Sequence, residues 1–151
     1  MRDRVTVFEV GPRDGLQNES QQVPLQAKLD FIAKLSSSGL SRIEVTSFVS
    51  PKWVPQLADH IELTRHLKEK REPAYYSLVP NENGYERALQ AGVNNMSFIA
   101  AVSETFCRKN TACDLQQSID RVVQLLSRGS HDGITNRVYL SCAFHCPYEG
   151  D

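Results

Sequence analysis

The feature that most limits how this chain can fold is an unbroken alternation of strand-like runs and helix-spaced apolar stripes. Residues 5–10, 42–48, 74–79, 96–102 and 136–143 are short runs rich in β-branched, aromatic or other apolar side chains. Between them, apolar residues recur at helical spacing. Leu25, Leu29, Ile32 and Leu35 do so over residues 24–38, Ile61, Leu63 and Leu67 over 59–70, and Tyr85, Ala88 and Leu89 after Asn81. A short helical or irregular piece to Asn110 precedes a further helix over 114–128, with Leu115, Ile119, Val122 and Leu126 on one side. Strands separated by helices pair in parallel through right-handed crossovers, so the expected fold is an α/β parallel sheet. The punctuation agrees: Pro24 suits a first helical turn, Gly39 and Gly92 suit helix ends, and Asn81 and Asp114 are N-caps. Residues 129–135, polar and containing two glycines, read as a loop. No boundary divides residues 1–151, which are expected to form part of a single domain.

Chemistry concentrates behind the first predicted strand. Residues 5–10 end at Gly11-Pro12, which cannot continue a ladder, so Arg13, Asp14, Gln17 and Asn18 stand at that strand's C-terminal mouth. Arg13 offers a planar fork for a carboxylate or carbonyl oxygen, and Asp14 offers hard oxygen for a divalent cation. Gln17 and Asn18 can orient a substrate or a metal-bound water. A plain surface turn in which Arg13 and Asp14 pair with each other is the competing reading. In the second predicted strand, alternation sends Ile43 and Val45 one way and Glu44 and Thr46 the other, away from the apolar helices. An inward carboxylate is costly unless paired or used. Glu44 therefore either forms an ion pair with Arg13 or Arg42 or takes part in chemistry. Pro51, Trp53 and Pro55 stiffen the loop that follows, with Trp53 expected to plug it against the strands rather than to cover a ligand. His60 and His66, six apart, do not share the i, i+4 face of a helical metal pair and are expected at the surface or behind the site.

Two blocks carry a resemblance: Val10-Gly-Pro-Arg-Asp-Gly-Leu-Gln17 and Ile43-Glu-Val-Thr-Ser-Phe-Val-Ser-Pro-Lys-Trp-Val-Pro-Gln56. With Ala101-Val-Ser-Glu104, Ser141-Cys-Ala143 and Cys146-Pro-Tyr-Glu-Gly150, they make the chain resemble the 3-hydroxy-3-methylglutaryl-coenzyme A lyase family over essentially its whole length. That family belongs to a metal-dependent lyase and synthase superfamily built on a (β/α)8 TIM barrel. Such a barrel takes roughly 250 residues, so the 151 present are expected to supply about the first five strands of an incomplete barrel.

The resemblance implies a carbon–carbon lyase that cleaves 3-hydroxy-3-methylglutaryl-CoA to acetyl-CoA and acetoacetate, on the leucine-degradation and ketone-body route. Arg13 and Glu44 would be catalytic, with Arg13, Gln17, Asn18 and Tyr139 on the substrate. Asp14 would bind a Mg²⁺ or Mn²⁺ cofactor, and Glu9 and Thr46 would support these groups from behind. The family's remaining ligands, a His-x-His pair and an asparagine, and its acid, a late cysteine, have no counterpart here: none of the four histidines forms His-x-His. The 151 residues acting alone are therefore expected to show little or no lyase activity. Rival readings are a 2-isopropylmalate or homocitrate type synthase of the same superfamily, and a non-catalytic half barrel that oligomerises. The block Ser47 to Trp53 speaks for the lyase.

Bulk properties exclude other classes. With 17 basic and 18 acidic residues, no global field attracts nucleic acid or an anionic membrane. No run approaches the roughly 20 apolar residues of a membrane span. Met1 lies so close to the first predicted strand that no signal or transit peptide is expected. The four cysteines are expected as reduced thiols in a cytoplasmic protein, or in the mitochondrial matrix for a processed eukaryotic chain. Cys142, His145 and Cys146 lack the second ligand pair of a closed zinc site. The partners expected are an acyl-CoA substrate and a second copy in a homo-oligomer, a dimer, with no nucleic acid and no membrane.

Overall fold

In a computed structural model, residues 5–68 and 72–150 are described. Four parallel strands, β1 (Arg42–Ser47), β2 (Ala74–Leu78), β3 (Asn95–Ala101) and β4 (Thr135–Ser141), lie in the order β1-β2-β3-β4. Helices α1 (Leu25–Ser37), α2 (His60–Leu67), α3 (Glu82–Ala91), α4 (Glu104–Thr111) and α5 (Leu115–His131) connect them. Because helical crossovers join each strand to the next in parallel, all four C-terminal ends lie at one end of the sheet, where α/β proteins place their sites.

The alternation of side chains sets up two faces. Met96, Phe98 and Ala100 of β3 pack with Tyr85 of α3 and with Val122 and Leu125 of α5. Ile43 and Val45 of β1 pack with Ile32 of α1 and with Leu63 and Leu67 of α2. Helices therefore cover one face of the sheet, leaving Glu44, Thr46, Ser97, Arg137 and Tyr139 to the other. Local signals fix the helix ends as expected. The Asn81 side chain accepts from the Gly84 N–H, Gly92 closes α3 with a φ of 83°, and Asp114 with Gln117 forms a reciprocal capping box at α5.

Several expectations need correction. The strand expected over 5–10 contracts to one bridge, Glu9 with Ile43, in which the Glu9 N–H donates to Arg42 O and the Glu44 N–H to Glu9 O. Val5 and Val7 are exposed, so β-propensity without a surface to pack on does not extend the ladder. Among the described residues the sheet consequently has four strands rather than five. The loop expected over 129–135 shortens to residues 132–134, because 129–131 form the last turn of α5 and Thr135 begins β4. A Cβ on Gly129 would sit 2.3 Å from Asn136 Oδ1, so this glycine serves close packing of helix on strand rather than a stop. Trp53 is 83 % exposed and plugs nothing. The part of the 59–70 helix beyond residue 68 lies outside the described residues; α2 runs to Leu67.

His60 also departs from expectation, since it is buried with its ring against Phe48. Its Nδ1 pairs with Leu57 O at 2.9 Å, while Nε2 is buried without a partner. A proton on Nε2 would be an unsatisfied buried donor, and burial accordingly depresses the His60 pKa, with nearby Arg87 adding to the effect. The unfolded chain takes up a proton near pH 6.5 that the folded chain refuses. This contribution to stability is therefore intact above about pH 6.5 and is lost as pH falls toward the depressed folded value. Urea unfolding between pH 7.5 and 5.5 should show the loss, and His60→Gln should remove that part of the pH dependence.

Candidate active site

Immediately after Glu9 the chain winds into one wide helical turn, Gly11–Gly15. Val10 O accepts from the N–H groups of both Arg13 and Asp14, and the Leu16 N–H closes the turn on Gly11 O. Pro12 occupies an early position where no N–H is needed. Gly11 is required by proximity. Its N–H donates to Glu9 Oε1 at 2.6 Å, and a Cβ there would stand 2.8 Å from the same oxygen. Glu9 thus ties the end of the bridge to the start of the turn, a supporting role.

The turn sends its two charged side chains in different directions. Arg13 is buried and points at β1, where its Nε donates to Glu44 Oε1 at 2.5 Å. Its Nη1 donates to Asp14 Oδ1 at 2.6 Å. From the strand at the opposite edge of the sheet, the Tyr139 hydroxyl donates to Glu44 Oε2 at 3.2 Å, and the Arg13 guanidinium lies 5.6 Å from the Tyr139 ring centre. Glu44, fully buried, therefore has both oxygens engaged, one by a cation from the turn and one by a phenol from β4. The two open sequence alternatives for its cation resolve to Arg13. Burial opposes the Arg13 charge, but Glu44, by charge and hydrogen bond, and Asp14 outweigh it and hold the guanidinium above its ordinary pKa. Burial and the Glu44 carboxylate raise the Tyr139 phenol, against the pull of Arg137 and Arg13.

The remaining expected site residues are less committed. The Asp14 side chain is 56 % exposed, open to a solute from the mouth. Asn18 is exposed and donates to Asp14 O at 2.8 Å, bracing the turn. Gln17 is half-buried beside it. The Thr46 hydroxyl is buried on the inner face without a hydrogen-bond partner. Sequence reasoning missed Arg137, whose guanidinium lies 3.7 Å from the Phe8 ring centre and 4.1 Å from that of Tyr139. The signal was present, since residues 137 and 139 share a strand face.

A divalent cation needs several oxygen ligands. Among the described residues no group of three or more His, Cys, Asp or Glu side chains stands close enough to hold a metal ion. The donors around Asp14 among the described residues therefore do not make up such a shell. The four cysteines carry free thiols, with Cys146 Sγ placed 3.0 Å from Ser103 Oγ.

The profile of the family described as HMGL-like matches residues 4–150. The chain belongs to the HMGL-like family. It is 47 % identical over 97 % of its length to "3-hydroxy-3-methylglutaryl-CoA lyase, cytoplasmic" of Danio rerio, covering 44 % of that relative. It is 46 % identical, again over 97 %, to "Hydroxymethylglutaryl-CoA lyase, mitochondrial" of Mus musculus, covering 45 % of it. Among solved structures, the HMG-CoA lyase of Bacillus subtilis superposes with a TM-score of 0.93 at 42 % identity, over 98 % of this chain and 50 % of that one. An HMG-CoA lyase of Acinetobacter baumannii in complex with coenzyme A and 3-methylmalate does so at 0.89 and 35 %, over 97 % and 48 %. This HMGL-like chain therefore spans about half the length of the relatives it matches, and its four-stranded parallel sheet corresponds to the same portion of their TIM-barrel fold.

The geometry separates two carboxylates that the sequence sets on equal terms. Removing the charge of Glu44 by Glu44→Gln leaves a buried guanidinium without its main counter-ion and should cost about 3–5 kcal/mol. Asp14→Asn, at an exposed pair, should cost no more than about 1 kcal/mol. Urea unfolding of the two variants at pH 7 measures the difference.

Proposed function

We propose that this chain carries the N-terminal part of a hydroxymethylglutaryl-CoA lyase site, acting in the cleavage of 3-hydroxy-3-methylglutaryl-CoA to acetyl-CoA and acetoacetate. The observation that supports it best is the Arg13 guanidinium, buried at the strand mouth and fixed by Glu44 and Asp14. Five N–H groups belong to a guanidinium, so donors remain for a ligand oxygen.

In such a cleavage the tertiary hydroxyl loses its proton and the bond between its carbon and the thioester α-carbon breaks. The electron pair moves onto the thioester as an enolate, which is then protonated to acetyl-CoA. Negative charge thus develops on the thioester oxygen. Arg13, prevented by Glu44 from turning away, offers a preorganised donor to that oxygen and needs little reorganisation as the charge grows. Arg13 would bind the substrate carbonyl in the ground state as well. Glu44 acts by holding both Arg13 and Tyr139, and Tyr139 adds a ring wall to the same pocket. Gln17 and Asn18, on the turn, would contact the acyl group, with Glu9 and Thr46 bracing from behind. A divalent cation, Mg²⁺ or Mn²⁺, would supply Lewis acidity when bound, with Asp14 taking one position; the roles given to Arg13, Glu44 and Tyr139 do not depend on it.

An acyl-CoA substrate, the leucine-degradation setting and a cytoplasmic location, or the mitochondrial matrix for a processed eukaryotic chain, belong to the same proposal. The location rests on the reduced cysteines and on the relatives that carry that name. Among the described residues no helix is long and apolar enough to cross a membrane. Self-association as a dimer also belongs here. The edges of β1 and β4 bound the sheet, and Leu140 and Phe144 beside β4 are exposed.

The test is release of acetyl-CoA from 3-hydroxy-3-methylglutaryl-CoA with Mg²⁺ by the chain mixed with the C-terminal half of a related lyase; the chain alone should give little or none. Arg13→Lys should lower turnover by roughly 10²–10³, as loss of an oxyanion donor does, because a point charge does not reproduce the fork. Unchanged turnover in Arg13→Lys contradicts the reading, and a monodisperse monomer by light scattering removes the dimer.

A further inference from the structure

A second cation beside the Glu44–Tyr139 contact, Arg137, forms no ion pair among the described residues. Arg137 precedes Tyr139 by two residues on β4, so both project from the same face. Among the described residues no carboxylate forms an ion pair with Arg137, and its Nη1 is buried without a hydrogen-bond partner. Instead the guanidinium lies between two rings, 3.7 Å from the centre of Phe8 and 4.1 Å from that of Tyr139. Phe8 is itself fixed edge-on against Tyr76, with ring centres 4.8 Å apart. A flat cation packed between aromatic faces makes favourable contacts with both. Leaving its charge half-buried and unpaired is a poor way to gain cohesion alone.

What the stack does is visible one contact further on. The ring it holds is the one whose hydroxyl donates to Glu44 Oε2, while Glu44 Oε1 holds Arg13. We infer that Arg137 is a positioning residue: clamped against Phe8, its guanidinium plate fixes the Tyr139 ring so that the phenol stays on Glu44 and Glu44 keeps Arg13 at the strand mouth. The placement of Tyr139 is independent of any activity. Only its consequence for catalysis rests on the function proposed above.

The groups that face the Tyr139 hydroxyl are Glu44 from β1, Arg13 from the turn and Arg137 from its own strand. Burial and Glu44 raise the phenol, and the two arginines lower it. This sets up opposite outcomes. If Arg137 acted only through its charge, its removal would leave the ring in place and drive the Tyr139 titration further up. If Arg137 fixes the ring, removal frees the phenol from Glu44 and from burial, and the titration falls toward the ordinary tyrosine range.

The experiment is NMR titration of the protein with ¹³C-labelled tyrosine, the signal of Tyr139 among the five tyrosines being assigned by Tyr139→Phe. In Arg137→Ala the Tyr139 titration is expected to move down and its ring to flip faster, with the other four tyrosines unmoved. Arg137→Lys, which keeps the charge but loses the plate, should behave as Arg137→Ala does. A Tyr139 titration that stays put or moves up overturns the inference. Should Arg137→Ala fail to fold, Phe8→Leu decides, because Phe8 lies outside the four strands: a smaller downward shift supports the clamp and an unchanged titration overturns it. No substrate enters this measurement, so its failure is distinct from failure of the lyase reading.

Discussion

A buried charge is costly unless it is paired, and the meeting of Arg13 with Glu44 organises the mouth of this sheet. Neither residue is tolerable alone: each would be a buried, unpaired charge costing several kcal/mol. Together they fix the turn over the end of β1. The turn in turn depends on Glu9 joining the β1 ladder and on Gly11 admitting the Glu9 carboxylate at contact distance. The ion pair, the wide turn and the bridge are thus parts of one constraint, reaching across the sheet through Tyr139 to Arg137 and Phe8.

The same constraint explains how two adjacent charged residues come to differ. Arg13 faces inward because Glu44 is there to receive it; Asp14 shares the guanidinium from outside and keeps a solvent-facing carboxylate. One position is thereby rigid and preorganised and the other accessible, a division suited to a site that stabilises charge with one group and recruits a solute with the other. Relatives roughly twice as long share this portion of the fold at TM-scores up to 0.93 among the structures compared.

Much of this was legible before any coordinates. Period-two and period-3.6 patterns place all four strands and the helices between them, and Asn81, Gly92 and Asp114 mark helix ends because their chemistry is local. Glu44 was legible as an inward carboxylate from alternation together with apolar helices on the other face, and Arg13 as one of two candidate partners. What failed depended on tertiary context. Val5 and Val7 have strand propensity and no surface to pack on, so only Glu9 pairs. Gly129 resembles a helix stop until Asn136 is packed against it. His60 resembles any polar helical residue until Phe48 covers it, and Trp53, whose bulk suggests a plug, is left in solvent. Arg137 escaped notice because a cation held by rings has no charged partner to look for in the sequence.

The central claim is that Arg13 and Glu44 are a coupled buried pair rather than two charges that happen to lie close. A double-mutant cycle with Arg13→Met, Glu44→Gln and the double variant, followed by urea unfolding at pH 7, measures that coupling directly. The account predicts an interaction of about 2 kcal/mol or more, the double variant being less damaged than the sum of the single ones. Additive single effects, with a coupling near zero, would contradict it.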